Sequence, residues 1–395
     1  MEIARLLAAL LASLAVSLAQ AAPFTPKSDN DVVERLPSGA TDPSVRRVDS
    51  LRKQLAARPD DVALRMEIAR RYFDLAMAQG DPRYVGYAQA AIIPLAKTEA
   101  NSAQYWLVKG MIEQYSHDFP GALQSLEKAS QLDPKAPDPI AWQAAIHMVQ
   151  ARYPEALSEC TRLVPLAHPL YAQGCTAYVE AATGHLAPAY EILSKELANA
   201  GDAAPGLVLW IETRLGEMAI RLQKFDEAQA HFDRALRLGL TDQFLLGAYS
   251  DFLLLRNRPA EVTKLLADWE RSDVLLLRLA LAGKAAKDPR AADWASQLRD
   301  RFAAAALRGD RLHEQEAARF ELDVEGHPDK ALDYASRNYT AQKEARDAEI
   351  LLRAALAANQ PKAAQPALDW LRTNHYEDPA LARIADELAA KGATR

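Results

Sequence analysis

The sequence predicts an all-α fold, a solenoid of antiparallel helix pairs, and three observations predict it. The first is a small residue that returns about every 34 positions, a spacing typical of helix-pair repeats. Matching side chains follow it: Ala122, Leu126 and Ala129; Ala156, Cys160 and Leu163; Ala189 and Leu193; Ala228, Phe232 and Ala235. The series continues at Val262 and Leu266, at Ala331 and Ala335, and closes at Ala364 and Leu368. A unit of this length cannot bury its apolar face alone, so units must stack. The second observation is that Gly110, Ala144, Ala177, Gly216 and Ser250 each precede one of these small residues by the same interval. Small residues at both sites let two helices approach closely, and larger ones at the next turns fill the space between pairs. The third is proline. Pro120, Pro154, Pro259, Pro328 and Pro361 stand just before the second small residue, at a helix opening where a missing N–H costs nothing.

The elements follow in order. Residues 1–21 read as a signal peptide: Arg5, an apolar run over 6–19, and small residues at Ala19 and Ala21 for cleavage. Residues 22–43 read as an extended linker rich in Pro, Ser, Asp and Asn. Residues 44–395 read as the solenoid. Asp42 and Pro43 open a helix that ends before Pro59, because proline disfavours α geometry in the residue ahead of it. The repeats begin near Val62, and Gly80, Asp81 and Pro82 break their first helix. Pro94 ends or kinks the next. The stretch 272–310 reads as helices with broken spacing. Asp378 and Pro379 open a last, capping helix to about Lys391, with Glu377, Asp378 and Arg383 on a polar outer face.

Composition narrows the function. The chain has 395 residues, 25% of them charged, and a net charge of −6. No basic stripe appears, so nucleic acid is not an expected partner. The apolar run is too short to span comfortably and no later segment is long enough, so the mature chain is expected not to span a membrane. Two cysteines suit an oxidising compartment. Cys160 falls on the second helix of one repeat and Cys175 on the first helix of the next. Two readings stay open: a disulfide, or two small buried hydrophobes.

Trp106, Gly110, Ala122, Leu126, Ala129 and Pro134 together resemble the tetratricopeptide (TPR) repeat signature, and Leu215, Gly216, Ala228, Phe232 and Ala235 match it nearly as well. The resemblance covers 62–371. The segment 80–92 also resembles an exported, uncharacterised bacterial group of such proteins. The resemblance implies a right-handed superhelical solenoid whose first helices line a concave groove. Carried onto this chain, it points Gln104, Met111, Tyr171, Tyr178, Trp210, Glu217, Phe244 and Asp251 into that groove. Aromatic and polar side chains with few lysines suit an extended peptide or helix.

A catalytic reading has little support. No nucleophile elbow, phosphate-binding loop or EF-hand loop appears. His313 and Glu314 approach a metalloprotease motif, but position 317 is Ala. No enzymatic activity, metal or cofactor is expected. The expected function is an exported protein–protein interaction scaffold in the periplasm or outside the cell, binding a peptide segment or partner among periplasmic or membrane proteins. The alternative is a module that recognises cell-envelope glycan or assists a hydrolase, since an aromatic groove also stacks on sugar faces.

Overall fold

The computed structural model describes residues 42–393. The signal-peptide reading of 1–21 and the linker reading of 22–41 lie outside the described residues. The compact body runs from Ser44 onward.

Helix α1, Pro43–Ala57, stops at the residue pair before Pro59 as the proline rule requires. Nine helix pairs follow among the described residues. Pair 1 is α2 (Val62–Gln79) and α3 (Arg83–Ile92), which passes into a 3₁₀ turn at Pro94. Pair 2 is α4 (Ala103–Tyr115) and α5 (Phe119–Leu132). Pair 3 is α6 (Pro137–Val149) and α7 (Tyr153–Leu163). Pair 4 is α8 (Pro169–Ala181) and α9 (Leu186–Ala198). Pair 5 is α10 (Pro205–Arg221) and α11 (Phe225–Arg237). Pair 6 is α12 (Gln243–Leu255) and α13 (Pro259–Leu265). Pair 7 is α14 (Asp273–Ala286) and α15 (Ala291–Leu307). Pair 8 is α16 (Glu314–Phe320), extended by a π-helical turn at Glu321–Glu325, and α17 (Pro328–Ala341). Pair 9 is α18 (Ala345–Ala357) and α19 (Gln365–Thr373). Helix α20, Pro379–Ala393, closes the array.

One turn is repeated inside these pairs. After each first helix a single residue is left-handed: Gly80, His117, Ala151, Gly184, Gln223, Asn257, Lys287, Gly326 and Asn359. In eight of them the next N–H reaches back to close the helix, as in Asp118 N–H to Glu113 O at 2.9 Å and Asp288 N–H to Gly283 O at 2.8 Å. Lys287 keeps this register inside 272–310, so pair 7 is a true repeat. What breaks there is the packing. Gly110 backs onto Leu126, and Gly216 onto Phe232, where an added Cβ would meet ring carbon at 2.8 Å. In pair 7 Gly283 backs instead onto Trp294, earlier in the second helix, and a fully buried Trp294 fills the gap.

The two cysteines are joined by a disulfide, Cα–Cα 5.4 Å, linking α7 to α8. The bond lies in an apolar cluster that also reveals the fold's long-range contact. Ala144, Tyr153, Ala156, Cys160 and Val179 of pairs 3 and 4 share it with Ala348, Leu351, Trp370 and Leu381 of the C-terminal helices. The last pairs therefore return to the earlier ones. Lys343 N–H donates to Val149 O at 2.7 Å. Trp370 Nε1 donates to Tyr153 Oη at 3.0 Å, and Arg221 covers the Tyr376 ring at 3.9 Å. Glu377, expected on an outer polar face, accepts the Leu186 N–H at 2.6 Å and so caps α9.

Candidate functional site

The eight residues expected in the groove fall into four couples on four first helices. Each couple is two helical turns apart and so shares one face. The outer members, Gln104, Tyr171, Trp210 and Phe244, stand nearer the helix starts. The inner members, Met111, Tyr178, Glu217 and Asp251, stand deeper.

The outer row is accessible. Gln104 is exposed, and Phe244 keeps 37% of its surface. Tyr171 and Trp210 meet edge to face at 5.7 Å and are half-buried. Trp210 leans on Gly174, where a Cβ would lie 2.6 Å from its ring. Burial pushes the Tyr171 hydroxyl up to about 12, so it stays a neutral donor. Asp138, at the same level on α6, pairs with Arg70 at 3.3 Å.

The inner row is taken up by the chain. Met111 corrects the expectation: it is 1% exposed, in the core between pairs 1, 2 and 3, because α2 and Trp142 cover that face of α4. Tyr178 lies under the Arg214 guanidinium at 5.0 Å, and Arg214 Nη1 donates to its hydroxyl at 3.3 Å. The same Arg214 binds Glu217 at 2.8 Å. Burial opposes the Arg214 charge, but Glu217, Tyr178 and Glu344 outweigh it and raise its pKa. Asp251 accepts from Arg278 at 2.7 Å and pairs with Arg319 at 2.8 Å. Burial alone would raise its carboxyl pKa, yet these two arginines hold it below the usual range.

The network continues into the returning pairs. Glu344 pairs with Arg346 at 2.7 Å. Burial opposes the Glu316 charge, but His313 and Arg346 draw its pKa down to about 2. Asp347 goes the other way: burial and the Glu344 charge push it up to about 7. Arg346 retains 47% of its side-chain surface although Glu344, Asp347 and Glu316 lie around it. Water therefore reaches Arg346, and screening moderates its pairing with Glu344. Alternating charges thus engage Tyr178, Glu217 and Asp251 at the level where a bound segment was expected.

Arg214, Arg278, Arg319, Glu344 and Arg346 carry no expectation from the repeat pattern. Arg319 stands where other repeats put a small residue, and that substitution was the available signal. Among the described residues, no group of three or more His, Cys, Asp or Glu side chains is placed to hold a metal. Among them, too, no helix is long and apolar enough to cross a membrane.

No family model matches the chain, and no curated protein matches it. Among solved structures, the chain is similar to one in the structure of Naa15/Naa10 bound to HypK-THB. The identity is 12% over 90% of this chain and 66% of that chain, with a TM-score of 0.27. Agreement of that size carries no argument about fold, partner or activity.

Proposed function

We propose that the protein is an exported TPR-like scaffold that binds a segment of another periplasmic or membrane protein along the outer row of its first helices. The observation that supports this is the split between the rows. Tyr171, Trp210 and Phe244 stand at one level on three successive first helices with surface to offer, whereas the deeper positions already have partners in the chain. Aromatic anchors of this kind dominate protein interfaces because they bury large area at low entropic cost. The Cys160–Cys175 bond and the apolar run near the N-terminus support export to an oxidising compartment. Binding, with no catalysis, is the function proposed.

The test is site-specific photocrosslinking in intact cells with the probe at position 244, 210 or 349. Adducts to a discrete partner are expected at 244 and 210 and not at 349, on α18. Adducts only at 349, or at none of the three, overturn the reading. Intact-mass analysis of the exported protein should show a start near Ala22, and full-length protein kept in the cytoplasm overturns the export part.

A further inference from the structure

A pocket of about 500 Å³ opens where pairs 8 and 9 meet the turn of pair 3. That size lies within the range of small-molecule sites. Its floor is apolar and aromatic, formed by Leu351, Tyr339 and Trp370. The Trp370 N–H is already given to Tyr153, which fixes that wall. Its rim carries both charges. Lys343 comes from the connection into α18, anchored by its own N–H on Val149 O, and Asp369 comes from α19.

Two lining groups lack partners. Tyr339 is 5% exposed, and its hydroxyl has no hydrogen-bond partner among the described residues. The Gln150 Oε1 atom, also buried, has none. Unpartnered buried polar atoms are costly and uncommon, and these two lie just beneath the pocket surface. The Lys343 ammonium has no ion-pair partner among the described residues. Asp369 uses one oxygen for Gln365 and Arg372, at 2.9 and 2.7 Å, which leaves the other for the rim. A plain anion would meet Lys343 but also Asp369, and a plain cation the reverse.

We infer that this pocket binds a small zwitterion in which an ammonium and a carboxylate flank an apolar side chain. The carboxylate sits on Lys343 Nζ, the ammonium on Asp369, and the side chain on the Leu351 and Trp370 floor. A free apolar amino acid and a short apolar peptide share this chemistry. Because Gln150, which lines the pocket, belongs to pair 3 and the other groups to pairs 8 and 9, the guest also fastens the return of the C-terminal pairs. Ligand that binds only the folded chain raises its melting temperature.

The experiment is titration calorimetry on the mature full chain with leucine, dileucine, N-acetyl-leucine, leucine amide and inorganic phosphate. Leucine or dileucine should bind, and blocking either charge should weaken binding at least about tenfold. Tighter leucine identifies a free amino acid as the guest, and tighter dileucine a peptide. Lys343→Met and Asp369→Asn should each weaken binding about tenfold or more, while Lys343→Arg retains it. Unchanged melting of these rim variants without ligand certifies their fold. No heat from leucine or dileucine at millimolar concentration overturns the inference. Binding that ignores Lys343→Met, or that phosphate reproduces, overturns it too.

Discussion

Phe244 and Asp251 lie two turns apart on one face of α12, and the chain treats them differently. The two are about equally exposed, Phe244 at 37% and the Asp251 side chain at 35%, but Asp251 is clamped between Arg278 and Arg319 whereas Phe244 offers an unclaimed ring. Tyr171 and Tyr178 repeat the contrast on α8, and Trp210 and Glu217 on α10. Sharing a helix face makes residues neighbours, but it does not make them equally available. Availability is decided by what arrives from elsewhere in the chain. Here Arg214 of pair 5, Arg278 of pair 7 and Arg319 of pair 8 bring their charges to the deeper level.

The largest expected effect separates the rows outright. Asp251→Ala leaves Arg278, whose side chain is 6% exposed, without its counter-charge. Stranding a buried charge costs about 3 kcal/mol or more. Phe244→Ala, at an exposed edge, should cost under about 1 kcal/mol of stability. It should weaken partner binding by about 2 kcal/mol if Phe244 is a central anchor. Urea melts of the two variants, followed by partner recovery with Phe244→Ala, check both halves. Equal stability losses would erase the contrast.

The helices and their ends were legible because they depend on local rules. Pro59 ends α1, Gly80 ends α2, and the proline openings sit where expected. Repeat register alone also puts Tyr171, Trp210 and Phe244 at equivalent positions of three successive first helices. The inner row was not legible. Its filling depends on charges that the repeat signature does not specify, Arg214 beside Tyr178 and Glu217, and Arg278 and Arg319 around Asp251. The return of the C-terminal pairs rests on contacts far apart in sequence, such as Lys343 with Val149 and Glu377 with Leu186. Pair 7 was half legible: Lys287 holds the turn register, but Trp294 does the packing that Leu126 does in pair 2.

Removing the disulfide sharpens the comparison. Its loop spans 15 residues, and a loop of that size stabilises by about 3 kcal/mol in the chain-entropy model. The bond lies in the cluster that seats Leu351 and Trp370. Cys160→Ser with Cys175→Ser should therefore speed hydrogen exchange around Tyr178 and α18 more than around Phe244. Uniform loosening would contradict this. Gly216→Ala serves as the control, since a Cβ there drives into Phe232 beneath both rows of α10. It should cost about 1–3 kcal/mol by overpacking and disturb Trp210 and Glu217 alike. A variant as stable as the parent would overturn the packing account.

The pH response of a variant against its parent probes the charge network of pair 8. Glu316 is depressed from 4.5 to about 2, so its stabilisation is present above 4.5 and lost as pH falls through the folded value. For His313, burial opposes the charge, but Glu316 outweighs it and raises the pKa from 6.5. Its stabilisation is full below 6.5 and lost as pH rises through the folded value. The pair is strongest between 4.5 and 6.5. His313→Gln should flatten the decline above 6.5 in urea midpoints and leave exposure at Phe244 unchanged. A His313→Gln profile that declines as steeply as the parent's would contradict the assignment.

The most direct test of the central claim is site-resolved amide hydrogen exchange at Lys343 and Leu186. Lys343 donates to Val149 O, and Leu186 to the Glu377 carboxylate, so both amides are protected only if the C-terminal pairs return to pairs 3 and 4. The account predicts slow exchange at both, close to that of the helices that hold them. Exchange at the rate of an open turn, with the α6 and α18 helices still protected, would show that the C-terminal pairs do not return to pairs 3 and 4.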